Sequence, residues 1–260
     1  MDSNFINTNY EERLVAFIDI LGFKNIVARS VSDERIANNL HRAMKRIFED
    51  HRDNRRDIAN DDNPFNKMVT TFSDSAVISY PLQSQTGNLF SLLMEIIYLQ
   101  IDLINLGFLL RGGIAIGPLY HEDSIIYGPA MIEAYYLESK IAQYPRIVLT
   151  PHTLYRAMQI TRLNNVEFEQ EFFKRIVTLD QSCNIYYLDV LGQGDEFDDP
   201  VDGYLSFLKH THDIIIDGLK STDESVHIKY KWFGIYLNHT VDQYYGSSCN
   251  NLKIPDKLLL

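Results

Sequence analysis

The stretch Val15-Ala-Phe-Ile-Asp-Ile-Leu-Gly-Phe23 constrains this chain more than any other. Val15, Phe17 and Ile18 suit a buried strand in a sheet covered on both faces. Asp19 falls where that strand runs out, Leu21-Gly22-Phe23 turns the chain, and Lys24-Asn25-Ile26-Val27 opens a helix. A carboxylate at the end of a strand, next to a glycine turn and a helix N-terminus, is placed to hold a divalent cation. The free N–H groups of the turn can hold the phosphates that the cation carries. An aspartate here can equally cap the helix, and the stretch alone leaves both roles open.

A second carboxylate stands in a matching position. Lys67-Met-Val-Thr-Thr-Phe-Ser-Asp-Ser-Ala-Val-Ile-Ser-Tyr80 reads as two β-runs around Ser73-Asp74-Ser75, a hairpin with an acid at its tip. Aspartate is common in turns for local hydrogen-bonding reasons. If the hairpin lies beside the first strand, however, Asp74 and Asp19 can share one or two divalent cations. The third piece is Leu109-Leu-Arg-Gly-Gly-Ile-Ala-Ile-Gly-Pro-Leu-Tyr120, followed by Ile125-Ile-Tyr-Gly-Pro-Ala-Met-Ile-Glu-Ala-Tyr-Tyr-Leu-Glu138. Here a strand carrying Arg-Gly-Gly leads to a Gly-Pro turn, a short hairpin with its turn at His121–Ser124, and a helix.

The remaining elements follow from periodicity. Ile36, Leu40, Met44 and Ile47 form an apolar stripe on a helical region ending near Asp50, with Asp33-Glu34 at its start. Residues 51–64 are densely charged with mixed sign and read as a solvated loop. A helix over about Asn88–Asn105 is apolar on more than one face, so it is deeply buried or at a subunit interface, and Gly107 closes it. Pro129 opens a helix to about Gln143, Tyr144-Pro145 breaks it, and Arg146–Thr150 is a short strand. The order β-α-β-β-α-β-β-α-β predicts an α+β, ferredoxin-like sheet with helices mostly on one face. Beyond it come a strand pair at Ile176–Leu179 and Ile185–Asp189, an acidic linker, and helices over about Gly203–Leu219 and Glu224–Tyr244. We divide the chain into a core over residues 1–165 and an extension over 166–260 packed on it.

Composition excludes several classes. With 24 basic and 35 acidic residues the net charge is −11, which argues against nonspecific binding to nucleic acid or an anionic membrane. An anionic substrate would therefore need cations. Two cysteines, Cys183 and Cys249, make neither a zinc site nor a disulfide framework and fit a reducing cytoplasm. Met1–Asn7 has no signal-peptide pattern, and the apolar stretch at 89–110 is too polar for a membrane span. His41, His121 and His239 have no ligand-like spacing.

With its three pieces in this order, the chain over about residues 14–150 resembles the catalytic domain of class III nucleotidyl cyclases. That family has an F-x-D-I-x-G-F strand, a G-D hairpin, an R-x-G-x-x-x-G strand and a W-G turn before a helix. Within the class the chain looks most like the Pycsar-type pyrimidine cyclases of bacterial antiphage defence. The shared features are Phe17-Ile-Asp-Ile-Leu-Gly-Phe23, Phe72-Ser-Asp-Ser75, Arg111-Gly-Gly113 and Tyr144-Pro-Arg146. The resemblance implies that Asp19, Asp74 and the Ile20 carbonyl hold two Mn²⁺ or Mg²⁺ ions. It also implies that the Leu21–Lys24 turn, with Phe23 and Lys24, cradles the substrate phosphates. Arg111 is the candidate catalytic cation, although an arginine on a strand can equally make a structural ion pair. The implied reaction cyclises UTP or CTP to cUMP or cCMP with release of pyrophosphate. It would take place in a homodimer with interfacial sites and supply a cyclic-nucleotide-sensing effector.

The departures from the family pattern bear on specificity. Purine-specific members carry a lysine four residues before the hairpin aspartate and an aspartate three residues before the glycine of W-G. Thr70 and Ile125 stand at those positions here and are the candidate base-contacting residues. The transition-state asparagine and arginine fall at Ile132 and Tyr136, leaving Tyr135, Tyr136 or Arg146 to substitute. Lys140 and Arg146 otherwise read as solvated surface charges. Ser73 replaces the hairpin glycine, so that turn is expected without positive φ. Two other readings remain: a degenerate cyclase domain that only binds nucleotide, and a polymerase-like two-metal enzyme. The latter's Gly-Gly-acid hairpin is missing.

Overall fold

The computed structural model describes residues 10–56, 66–83, 87–160 and 166–259. The leading residues 1–9, residues 57–65 of the charged stretch and the expected boundary at 165 lie outside the described residues. Strand β1 (Glu11–Ile20) lies in the interior of the sheet. It pairs antiparallel with β3 (Ser75–Pro81) on one side and with β4 (Leu110–Glu122) on the other. β2 (Met68–Phe72) closes one edge against β3. β6 (Ile147–Leu149) runs parallel to β4, and β8 (Ile185–Leu188) and β7 (Val177–Asp180) complete the sheet. β5 (Ile125–Tyr127) folds back on the far end of β4. The result is an eight-stranded, mostly antiparallel sheet with helices packed on it, a mixed α+β fold.

Alternation along β1 sorts the two faces. Leu14, Ala16, Ile18 and Ile20 point into the larger core, and Val15 and Phe17 point to the opposite face with Asp19 in the same register. The larger core is built by helices α2 (Glu34–Arg56), α3 (Asn88–Asn105), α5 (Pro151–Ile160), α6 (Val166–Ile176), α7 (Asp202–Gly218) and α8 (Glu224–Tyr245). Phe207, Phe233 and Leu237 from the C-terminal helices belong to the same buried cluster as Leu14 and Leu92, and β7–β8 extend the same sheet. The opposite face carries α4 (Pro129–Tyr136) and the π-helical turn Leu137–Ile141 that continues it.

Several local expectations are corrected. The helix after Asp19 is two helices: α1 (Phe23–Ser30) and then α2, whose N-terminus Asp33 caps by accepting from the N–H groups of Arg35 and Ile36. α2 continues to Arg56, into the stretch read as a loop, because neither glycine nor proline interrupts it there. β4 passes straight through Gly117-Pro118 instead of turning. On β4, β6 covers only Gly112–Ile114, so Pro118 lies on an open edge where its missing N–H breaks no ladder bond. Ser73 does adopt positive φ, at 56°, because a two-residue hairpin loop requires left-handed backbone at its centre. Among the described residues α3 is the one helix long and apolar enough to cross a membrane, and 67% of it is buried inside the fold. Most of its apolar surface is therefore spent on the protein's own core.

Candidate active site

The site lies where β1, the β2–β3 hairpin and β4 end together. Asp19 is opposite Ser75 on one side and Arg111 on the other. The Ile20 N–H donates to the Asp74 carbonyl at 3.3 Å, which ties the hairpin tip to the end of β1. Gly22, with φ 76°, occupies the cap position of α1, and no side chain caps that helix. The capping role for Asp19 is thus ruled out, and its carboxylate is turned to the sheet face.

The two acids and Arg111 form one electrostatic unit. Burial pushes the Asp19 carboxyl above the usual carboxylate range, and the Asp74 carboxylate pushes it further. Arg111, whose Nε lies 3.5 Å from Asp19 Oδ2, and the Ser75 hydroxyl, donating to Oδ1 at 3.1 Å, work in the other direction. A carboxylate pair that repels itself and supplies only hard oxygen donors fits Mg²⁺ or Mn²⁺. Among the described residues no group of three or more His, Cys, Asp or Glu side chains could hold a metal ion. The two carboxylates, with the Ile20 carbonyl as the expected third, stand as the candidate oxygen donors.

Glu138, which the sequence reading did not single out, belongs here as well. It sits in the π-helical turn, only 3% exposed, with Oε1 at 2.5 Å from Arg111 Nε. Burial raises its carboxyl most; Arg111 lowers it, and Asp19 and Asp74 raise it again. The turn comes this close to the sheet because Gly113 lies beneath it. A Cβ there would meet Leu137 Cβ at 2.4 Å and the Ala134 carbonyl at 2.5 Å.

The other expected site residues separate. Lys24 is exposed on the first turn of α1, whereas Phe23 packs against the larger core, so its ring is a packing element. The Thr70 hydroxyl is buried and engaged: it donates to the Asp123 carbonyl at 2.7 Å and lies 2.9 Å from His121 Nε2. His121 Nδ1 is 2.7 Å from the Ser79 hydroxyl, to which the buried Arg13 donates at 2.9 Å. This polar chain pins the β4–β5 hairpin onto β2 and β3, and it gives His121 a role its sequence spacing did not suggest. Ile125, at the start of β5, is 57% exposed. Arg146 is corrected from a solvated charge to a buried one. It donates to Asp180 at 2.7 Å and lies between the rings of Tyr144, Tyr187 and Trp232. The ion pair and the cage engage its guanidinium beside β7 and β8. On α4, Ile132, Tyr135 and Tyr136 are all exposed, and the Tyr135 ring meets Phe17 edge-on at 5.4 Å.

No family model matches the chain, and no curated protein does. Among solved structures the chain is similar to two bacterial light-regulated adenylyl cyclases. For one the identity is 18% and the TM-score 0.33, covering 57% of this chain and 45% of that one. For the other they are 16% and 0.35, covering 76% of this chain and 57% of that one. This chain thus spans about half the length of those proteins.

A cavity of about 790 Å³ lies behind the Asp19 turn, between α1 and the α7–α8 pair, lined by Gly22, Asn25, Arg29, Ile214 and Tyr230 among others. Asp19, Asp74, Arg111 and Glu138 are not among its lining residues, so it is distinct from the carboxylate site.

Proposed function

We propose that this chain is a nucleotide cyclase that converts UTP or CTP to the 3′,5′-cyclic monophosphate and pyrophosphate. The observation that carries the reading is the pairing of Asp19 and Asp74 at adjoining strand ends, beside a glycine turn and against Arg111. The reaction needs no covalent intermediate: the ribose 3′-oxygen attacks the α-phosphorus and pyrophosphate leaves. Divalent cations, Mn²⁺ or Mg²⁺, would be held by Asp19 and Asp74 with the Ile20 carbonyl. When bound they screen the triphosphate and lower the pKa of the 3′-hydroxyl. The Leu21 N–H is spent on the Leu109 carbonyl, so the turn offers the backbone N–H groups of Gly22–Lys24 and the Lys24 charge to the phosphates. Thr70 and Ile125 replace the lysine and aspartate of purine-specific cyclases, and the apolar bulk of Ile125 suits a smaller base. The Thr70 hydroxyl is engaged by the Asp123 carbonyl and His121, so a base that reads it must share that hydroxyl with them.

The exposed apolar side chains of α4 beside the site support a homodimer whose sites form between copies, as in the class III cyclases. The cyclic product then serves antiphage defence through an effector that senses it. A second reading, a nucleotide-binding domain without turnover, draws on the apolar, exposed Ile132 where the family carries its transition-state asparagine. Incubation with the four nucleoside triphosphates and Mn²⁺, with products identified by mass, separates the two. Cyclic UMP or cyclic CMP supports the cyclase. Nucleotide binding without product supports the second reading.

A further inference from the structure

Arg111 stands between two carboxylates of different kinds. Asp19, at 3.5 Å, faces Asp74 and the turn; Glu138, at 2.5 Å, is walled in under the π-helical turn. Glu138 Oε1 and Arg111 Nε are both buried, and neither has a well-aligned hydrogen bond, so what joins them is charge. A buried acid held this way is costly unless a cation stays with it. The fold nevertheless invests in the position. It gives up a side chain at Gly113 so that the turn can descend, and it widens the helix to a π turn at the residue that faces Arg111. Arg111 is thereby drawn toward the interior and away from Asp19.

We propose that Glu138 is a positioning residue that sets the divalent-cation affinity of the Asp19–Asp74 pair by holding the Arg111 guanidinium off Asp19. The inference rests on the reading of Asp19 and Asp74 as metal ligands. An arginine free to close on Asp19 would occupy the same carboxylate oxygens as the cation and compete with it. Glu138 prevents this without touching metal or substrate.

The test is Mn²⁺ binding to the full chain, followed by loss of the free-ion electron paramagnetic resonance signal without nucleotide. Glu138→Gln should weaken Mn²⁺ binding by about 10-fold, the scale of an outer-sphere partner. Arg111→Gln should bind Mn²⁺ at least as tightly as the wild type, and adding Glu138→Gln to it should change little. The proposal is overturned if Glu138→Gln binds within about twofold of wild type. It is equally overturned if Glu138→Gln weakens binding as much without Arg111 as with it, since Glu138 would then act by its own charge. Should Glu138→Gln not fold, Glu138→Asp, which retracts the carboxylate by one methylene, is compared in the same two backgrounds with the same expectations. Asp19→Asn is the separate control. If it binds Mn²⁺ like the wild type, the metal site itself is misassigned; if it loses Mn²⁺ while Glu138→Gln does not, only the role of Glu138 falls.

Discussion

Replacing Gly113 by alanine is the most economical probe of how the fold builds this site. The new methyl would stand 2.4 Å from Leu137 Cβ, 2.5 Å from the Ala134 carbonyl oxygen and 2.9 Å from the Glu138 nitrogen. Two of these are backbone atoms and the third is a Cβ, so no flexible side chain can swing aside. Ordinary contact begins near 3.4 Å, so α4 and its π-helical extension must retreat by about 1 Å. Overpacking of this kind costs about 1–3 kcal/mol. At about 2–4 °C per kcal/mol for a chain of this size, the melting temperature should fall by about 2–12 °C. The same retreat carries Glu138 away from Arg111, so Mn²⁺ affinity should fall with stability. Thermal melting followed by circular dichroism and an Mn²⁺ titration read the two effects. A variant that melts within about 1 °C of wild type would refute the packing argument.

Three further outcomes follow from the same structure. Burial and Asp74 raise the folded-state carboxyl of Asp19 above its unfolded value, so its contribution to stability is complete below the unfolded pKa and is lost as pH rises through the folded one. With a chelator present, Asp19→Asn should therefore be more stable than wild type at neutral pH and lose that advantage in acid, as melting curves across pH would show; an unchanged difference at every pH would contradict it. Tyr236→Phe removes a hydroxyl that donates to half-buried Asp189 and accepts from the Leu191 N–H at 3.0 Å, and should cost about 1–3 kcal/mol in urea unfolding. Arg146→Ala leaves Asp180 without its arginine and empties the aromatic cage, costing about 3 kcal/mol in the same assay while Mn²⁺ binding stays unchanged.

The parts of the site that could be read from the sequence are those whose chemistry is local. Asp19 is marked by the strand before it and the glycine turn after it, and Asp74 by the two β-runs around it. Glu138 carries no such mark: it is one acid on an apolar helix, and what makes it matter is Gly113, 25 positions earlier, letting the turn down onto Arg111. His121 likewise gains its partners, Thr70 and Ser79, only when the β4–β5 hairpin lies across β2 and β3. Arg146 looks solvated until Asp180 and Trp232 arrive from distant parts of the chain. α5 went unread although its signal is present: Thr150 accepts from the Thr153 N–H at 3.0 Å, with Pro151 opening the helix. The turn at Ser73 shows the opposite failure, where loop length outweighed residue preference.

The central claim is that Asp19 and Asp74 together support cyclisation of a pyrimidine nucleotide. The direct measurement incubates wild type, Asp19→Ala and Asp74→Ala with a mixture of all four nucleoside triphosphates and Mn²⁺ and identifies the products by mass. The account predicts cyclic UMP or cyclic CMP from the wild type and none from either variant, with circular dichroism showing that both remain folded. Cyclic AMP or cyclic GMP as the dominant product, or undiminished turnover in either folded variant, would contradict it.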